Sequence, residues 1–278
     1  TSASTNYSGK RKIYRTPTNA EVAKWAIPQL ARKTVGRFWR TATRRHRTTH
    51  WRMAIRAGSA EAQPAGNPSM TGFRWIESPA GHFYADPFLV QNQDKHWVFF
   101  EDYYYREQRG VIACAELSPD GTPKETILAL DPGMHCSYPY LFRENDDLYM
   151  IPETLVSGSV QLYKCIHFPN EWKFEAELFR GNVVDVSALQ HNGRWYFFVT
   201  FVEPNAYGIA HYLFSAETIK GEWKYHPANP LSIDVRNARS AGAIQMWNGK
   251  LIRPTQDCSR RYGYAINFAE IVRLDPEV

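Results

Sequence analysis

Four stretches of this chain align without a gap, and each reads as a β-hairpin. They are DPFLVQNQDKHWVFFE from Asp86, YPYLFRENDDLYMIPE from Tyr138, DVSALQHNGRWYFFVT from Asp185 and AGAIQMWNGKLIRPTQ from Ala241. Their first residues lie 52, 47 and 56 positions apart. A unit of that length cannot bury both faces of its own sheet, so its copies must stack against one another.

Turn chemistry sets the register. Asn192-Gly193 and Asn248-Gly249 are strong two-residue hairpin turns. Centring each hairpin on its turn pairs Asp86 with Glu101, Tyr138 with Glu153, Asp185 with Thr200 and Ala241 with Gln256. Outer strands are expected at 111–116, 160–166, 207–214 and 264–272, with further ones at 172–178 and 223–225. From Phe73 onward no long helical pattern appears. Three or four strands per unit at this period predict an all-β fold, a β-propeller. Four repeats are visible and five blades are expected, with a strand at Trp75-Ile76 contributing to closure.

In a propeller the first strand of each blade lines the central channel, so the blade-opening residues gather at one mouth. That mouth is expected to hold Asp86, Glu101, Tyr138, Glu153, Asp185, Gln256 and Asp257, with Arg239 and Arg253. Glycoside cleavage needs two carboxyls flanking the scissile bond, one protonated and one ionised. Crowding carboxylates in one funnel raises the pKa of at least one and so supplies the acid. Asp86 is the candidate base or nucleophile, and its plainer role is a turn-capping Asp-Pro. The acid is Glu153 or Glu101, each of which has an ion pair with Arg253 or Arg239 as its plainer role. Asp185 is a tuner of pKa or a sugar ligand. Arg239 and Arg253 are suited to clamping a carboxylate or phosphate. Tyr138, Tyr262, Trp75 and Tyr103-Tyr104-Tyr105 offer faces for sugar stacking, although packing is the commoner use of such rings. His135 precedes the second repeat and is placed at the mouth. No His/Asp/Glu set has metal-site spacing, and no metal or cofactor is expected.

Charge divides the chain. Residues 1–56 hold fourteen Lys/Arg against one acid, Glu21, a surplus of +13. The rest holds 19 Lys/Arg against 27 Asp/Glu, a balance of −8. The arm can start a helix at Thr18 or Asn19, and apolar residues recur at Val22, Trp25, Ala26, Leu30, Val35, Phe38 and Trp39 among many arginines. Such a basic amphipathic helix over residues 10–56 suits an anionic membrane surface. It equally suits docking on another surface, and nucleic acid is a weaker fit because nothing in the body resembles a nucleic-acid module. Residues 57–72, rich in Ala, Gly, Ser and Pro, read as a linker to the propeller at 73–278. No apolar run nears the roughly 18 residues that span a bilayer. Nor does the start show an apolar core with a small-residue cleavage site. The four cysteines, Cys114, Cys136, Cys165 and Cys258, form no C-x-x-C pair and read as free thiols of a reducing compartment. Together these features predict a cytoplasmic protein, peripheral to the membrane through its arm.

The Ala85-Asp86-Pro87-Phe88 opening with an acidic partner resembles the five-bladed propeller glycosidases of the arabinanase, β-xylosidase and levansucrase type. That resemblance implies a base or nucleophile at Asp86, a pKa-tuning carboxylate at Asp185, and a general acid at Glu153 or Glu101. A second resemblance is to the N-terminal domain of plant glucosamine inositolphosphorylceramide transferases and their bacterial relatives. It rests on Ala85-Asp86-Pro87-Phe88, Phe99-Phe100-Glu101, Ser137-Tyr138-Pro139-Tyr140, Tyr149-Met150-Ile151-Pro152-Glu153, Phe168-Pro169-Asn170-Glu171-Trp172-Lys173 and Gln256-Asp257-Cys258. In the plant proteins a separate glycosyltransferase domain follows, and some bacterial relatives adjoin sugar formyltransferase modules. Together the two resemblances imply a carbohydrate-active protein working on glycosidic bonds, by hydrolysis or by transfer in surface-glycan or glycolipid assembly. The expected substrate is a carbohydrate, sugar nucleotide or glycolipid. The alternative is a non-catalytic glycan-binding propeller serving a partner glycosyltransferase or formyltransferase. A third, weaker reading is a protein-interaction propeller with an apolar funnel.

Overall fold

The computed structural model describes residues 18–20, 24, 50–58, 72–202 and 209–277. The chain divides into two compact units, Thr1–Thr49 and His50–Val278. In the first, Asn19, Ala20 and Lys24 are helical. The rest of the expected basic helix lies outside the described residues, as does most of the expected linker.

Among its described residues, the second unit is all β apart from one short 3-10 turn at Leu155–Ser157. It opens with a two-stranded antiparallel sheet, β1 (Met53–Ile55) and β2 (Arg74–Ile76). The sequence reading placed residues 53–55 in the helical arm; they are a strand of the body instead. The alternation of Met53 and Ile55 gives that strand an apolar side, and Met53 is only 3% exposed.

Four four-stranded sheets follow. Blade one is β3 (His82–Asn92), β4 (Lys95–Tyr104), β5 (Arg109–Leu117) and β6 (Pro123–Leu130). Blade two is β7 (Ser137–Glu144), β8 (Asp147–Glu153), β9 (Ser159–His167) and β10 (Glu171–Arg180). Blade three is β11 (Val183–His191), β12 (Arg194–Val202), β13 (Ile209–Ala216) and β14 (Lys224–Tyr225). Blade four has a broken inner strand, β15 (Arg239–Ser240) and β16 (Gln245–Trp247), both paired with β17 (Lys250–Asp257), and an outer β18 (Ala265–Ile271). Among the described residues a fifth four-stranded blade is absent, and the small β1–β2 sheet is the only remaining β element.

The second strand of each blade explains the long aromatic runs. In β4, Trp97 and Phe99 pack toward blade two, on Met150 and Trp172. Their neighbours Val98 and Phe100 pack toward the small sheet, on Met53 and Ile76. In β12, Trp195, Phe197 and Val199 meet blade two, while Tyr196 and Phe198 meet Ile244 and Leu251 of blade four. A strand buried on both faces loses the apolar–polar alternation and reads as a continuous apolar run. Each such side chain contributes roughly 1.5–3 kcal/mol by leaving water.

The hairpin register holds near the turns and slips at the other end. Phe88 pairs with Phe99, Tyr140 with Ile151 and Ser187 with Phe198, as the turns dictate. Beyond these, Ala85 pairs with Glu101, Ser137 with Glu153 and Val184 with Thr200. An extra residue has entered each inner strand. The expected partners of Glu101, Glu153 and Thr200 are corrected by one position. In blade four, Arg239 rather than Ala241 faces Gln256. The bulged residues Asp86, Tyr138 and Asp185 have φ of 50°, 44° and 52°, and Gly242 has φ of 142°. A β-bulge re-aims a side chain and twists its strand. Here the same device recurs at the channel end of three inner strands, and in blade four the inner strand is broken at the corresponding place.

Candidate active site in the funnel

The bulges bring four carboxyls together. Asp86 is half-buried and accepts the backbone N–H of Tyr138. Burial, then the charge of Asp185, pushes its pKa up to about 7, against the pull of Arg239. Glu101 is 6% exposed. Burial, then the charges of Asp86, Glu153 and Asp185, pushes it up to about 9. Glu153 ends β8, accepts the Leu155 N–H, and takes the Ser137 hydroxyl at 3.4 Å. Burial and then Asp185 push it up to about 7. Asp185, 2% exposed, forms an ion pair with Arg239 Nε and accepts Gln256 Nε2 at 3.4 Å. One cation thus faces a cluster of four acids, which is the arrangement that keeps some of them protonated.

His135 stands beside Glu101. The Gly110 N–H donates to its Nδ1 at 2.8 Å. In the neutral ring that places the proton on Nε2, which lies 4.0 Å from Glu101 Oε1. Burial, then the charge of Arg109, lowers the His135 pKa and favours that neutral form. Tyr262 is 54% exposed, with Arg239 4.9 Å over its ring. Its phenol is pushed up by burial and, against Arg239, by Asp185, Asp86 and Glu153, so the hydroxyl end reaches the funnel while the ring edge meets solvent. Trp51 meets Tyr262 edge-on at 5.6 Å.

A cavity of about 360 Å³ opens beside the carboxyls. Asp86 and Glu101 line it from blade one, Gln256, Tyr262 and Ile266 from blade four, and Trp51 and Met53 from the segment at β1. Glu153 and Asp185 stand behind this surface. Of the residues expected at the mouth, Asp86, Glu101, Glu153, Asp185, Arg239, Gln256, His135 and Tyr262 are brought together.

Three are not. Arg253 is 7% exposed, over the Phe198 ring between blades three and four, with Nη2 bound to the Asn237 carbonyl. Asp257 caps the backbone N–H of Ser259. Tyr138 is a buried hub. Its hydroxyl meets Ser187 Oγ at 2.9 Å and accepts the Gly242 N–H at 2.8 Å, so it ties three blades and offers no stacking face. Trp75, too, lies outside the cavity lining. Trp51 and Met53, which do line it, were not anticipated. No local signal marks them, because their partners lie some 30 to 210 positions away. Among the described residues no group of three His, Cys, Asp or Glu is poised to hold a metal, and no helix is long and apolar enough to cross a membrane.

The chain and its fold have counterparts among known proteins. A family model described as Glucosamine inositolphosphorylceramide transferase 1, N-terminal, matches residues 46–277. The chain belongs to this family. Glucosamine inositolphosphorylceramide transferase 1 of Oryza sativa subsp. indica is 32% identical over 229 residues, covering 79% of this chain and 30% of the relative. That of Arabidopsis thaliana is 31% identical over 223 residues, covering 78% and 29%. The chain therefore spans about 30% of the length of the curated relatives it matches. Among solved structures, a thermostable family-43 glycoside hydrolase superposes with a TM-score of 0.51 at 17% identity, covering 69% of this chain and 73% of that one. An exo-beta-1,3-galactanase from Phanerochaete chrysosporium gives 0.52 at 14%, covering 68% and 46%. These two share the propeller fold.

Proposed function

We propose that the funnel acts on glycosidic bonds, by hydrolysis or by transfer to a second acceptor. The observation that carries this reading is that Asp86 and Glu101 line one cavity while their pKa values are pushed to about 7 and about 9. Two carboxyls whose environments separate their pKa values are the signature of an acid and a base in one site. Asp86 is the base or nucleophile. Glu101 is the acid, because it is the more strongly protonated of the two acids that touch the cavity. Glu153 and Asp185 tune the pair electrostatically, and Arg239 offsets the charge. The relatives' names support a sugar transferred in sphingolipid synthesis, and the hydrolase-like neighbours support an acid/base site in this funnel.

The test is a screen of activated and aryl glycosides with the wild type, Asp86→Asn and Glu101→Gln. Each variant should lose roughly 10²–10⁴-fold in turnover. Turnover untouched by either change removes that residue from the mechanism. A second reading is a non-catalytic glycan-binding propeller serving a partner glycosyltransferase or formyltransferase, for which the half-exposed Tyr262 ring at the cavity offers a sugar-stacking face. It predicts sugar binding that survives Asp86→Asn, with no turnover in any variant.

Two further expectations belong with this reading. The basic arm attaches the protein to anionic lipid, on the strength of its +13 surplus, and the body works in the cytoplasm. The β1–β2 sheet takes the place of a fifth blade. It packs on blade one through Met53 and Ile76, and Trp51, just before it, reaches Tyr262 beyond blade four's inner strands.

A further inference from the structure

Blade four carries two inward arginines with opposite circumstances. Arg239 has a carboxylate, Asp185. Arg253 has none among the described residues, although it is 7% exposed. Its Nη2 donates to Asn237 O, and its Nη1 is buried without a partner. A buried charge without a counterion is costly, far more so than a buried pair.

The same seam holds other unsatisfied polar atoms. Ser240, fully buried, faces Thr255 across β15–β17, on the side of the blade that Arg253 also occupies two residues along β17. Its hydroxyl has no partner. From blade three, His211 faces Thr200 across β12–β13 and stacks on Phe198 at 5.9 Å, the same ring that Arg253 covers at 6.0 Å. His211 is fully buried, and neither ring nitrogen has a hydrogen-bond partner. The nearby Ala238 carbonyl approaches the imidazole and also accepts the Thr200 hydroxyl at 2.9 Å. Arg253 is close enough to disfavour a charge on His211. The seam therefore collects donors: a guanidinium N–H, a hydroxyl, and the single N–H of a neutral imidazole. The neighbouring carbonyls of Asn237 and Ala238 carry no full negative charge to offset the guanidinium.

We propose that this seam between blades three and four holds a small monovalent inorganic anion, of chloride size, ligated by Arg253 Nη1, Ser240 Oγ and an imidazole N–H of His211. A halide accepts several hydrogen bonds, donates none, and supplies the missing negative charge. Water would satisfy the donors but leave the guanidinium uncompensated. The site is distinct from the funnel carboxyls, none of which feels Arg253 as a leading electrostatic partner. Its role is to lock blade four onto blade three.

The experiment is thermal unfolding of the full chain at fixed pH and ionic strength, with chloride replacing gluconate from about 5 mM to about 500 mM. The midpoint should rise by about 3–8 °C. Ser240→Ala should fold normally and lose most of that rise, and Arg253→Met should abolish it. Crystals grown in bromide should show an anomalous peak within reach of Arg253 Nη1. A midpoint equal in chloride and gluconate overturns the proposal, as does a bromide-grown crystal with water alone in the seam. A chloride response retained in full by both variants also overturns it.

Discussion

Asp86, Tyr138 and Asp185 share a backbone conformation that side-chain-bearing residues avoid, at a cost of roughly 1–3 kcal/mol each. The strain is repaid in contacts across blades: Asp86 takes the Tyr138 N–H, Tyr138 ties Ser187 to Gly242, and Asp185 holds Arg239. The funnel acids then set two pH dependences. With Asp86 as base at about 7 and Glu101 as acid at about 9, kcat/KM should be highest between these values and fall on either side. A pH–rate profile without the alkaline limb argues against Glu101 as the acid. Stability has the opposite bias. An acid whose pKa is raised holds its proton more tightly folded than unfolded. Between its ordinary 4.5 and about 9, Glu101 stays protonated in the folded chain while the unfolded chain has lost that proton. Stability should fall as pH rises through that window, at up to about 1.4 kcal/mol per unit. Glu101→Gln removes that term. Its melting midpoint should exceed the wild type's by an amount that grows from pH 7 to pH 9, and a pH-independent difference would contradict the assignment.

At the scale of strands, the turns fixed most of each hairpin register, and the bulges changed the rest. Asn192-Gly193 and Asn248-Gly249 dictate pairing for the residues nearest them because two-residue turns leave no slack. The slip at the far end has only a weak local marker, since Asp tolerates positive φ better than most side chains while Tyr does not. It turns Asp86 and Asp185 toward the funnel and Tyr138 toward Ser187 and Gly242. Tyr138→Phe tests this element. It keeps the ring against Phe88, 4.8 Å away, and removes the hydroxyl that joins blades two, three and four. The loss should be about 1–3 kcal/mol, read by denaturant unfolding, with a fall in turnover as Asp86 and Gly242 lose their common support. An unchanged unfolding midpoint would mean that the hydroxyl network does not hold the bulges.

For the molecule as a whole, the small β1–β2 sheet is the part with the largest consequence. Met53 fills the core of blade one, and Trp51 sits so close to Gly263 that a Cβ there would lie 2.0 Å from its ring. Removing residues 1–49 should leave the melting midpoint within about 2 °C and abolish binding to anionic vesicles. Removing residues 1–56 should also strip Met53 and destabilise the body by roughly 2–5 kcal/mol, the scale of a lost core side chain. Equal midpoints for the two truncations would refute the structural role of β1. Vesicle binding retained without residues 1–49 would refute the lipid role of the arm.

The sequence by itself determined the repeated hairpin, the all-β class, the basic and acidic halves, and the gathering of Asp86, Glu101, Glu153 and Asp185. All of these follow from local periodicity and turn chemistry, which act over a few residues. Only the tertiary structure decided which arginine meets a carboxylate. Arg239 and Arg253 are alike in sequence, yet one, on β15, reaches Asp185 in the funnel and the other, on β17, is buried over Phe198 in a seam. Only the tertiary structure, likewise, brought Trp51 to Tyr262 and Met53 to Phe100. Contacts across 47 to 211 positions are set by how the blades close on one another, and no window of sequence carries that information.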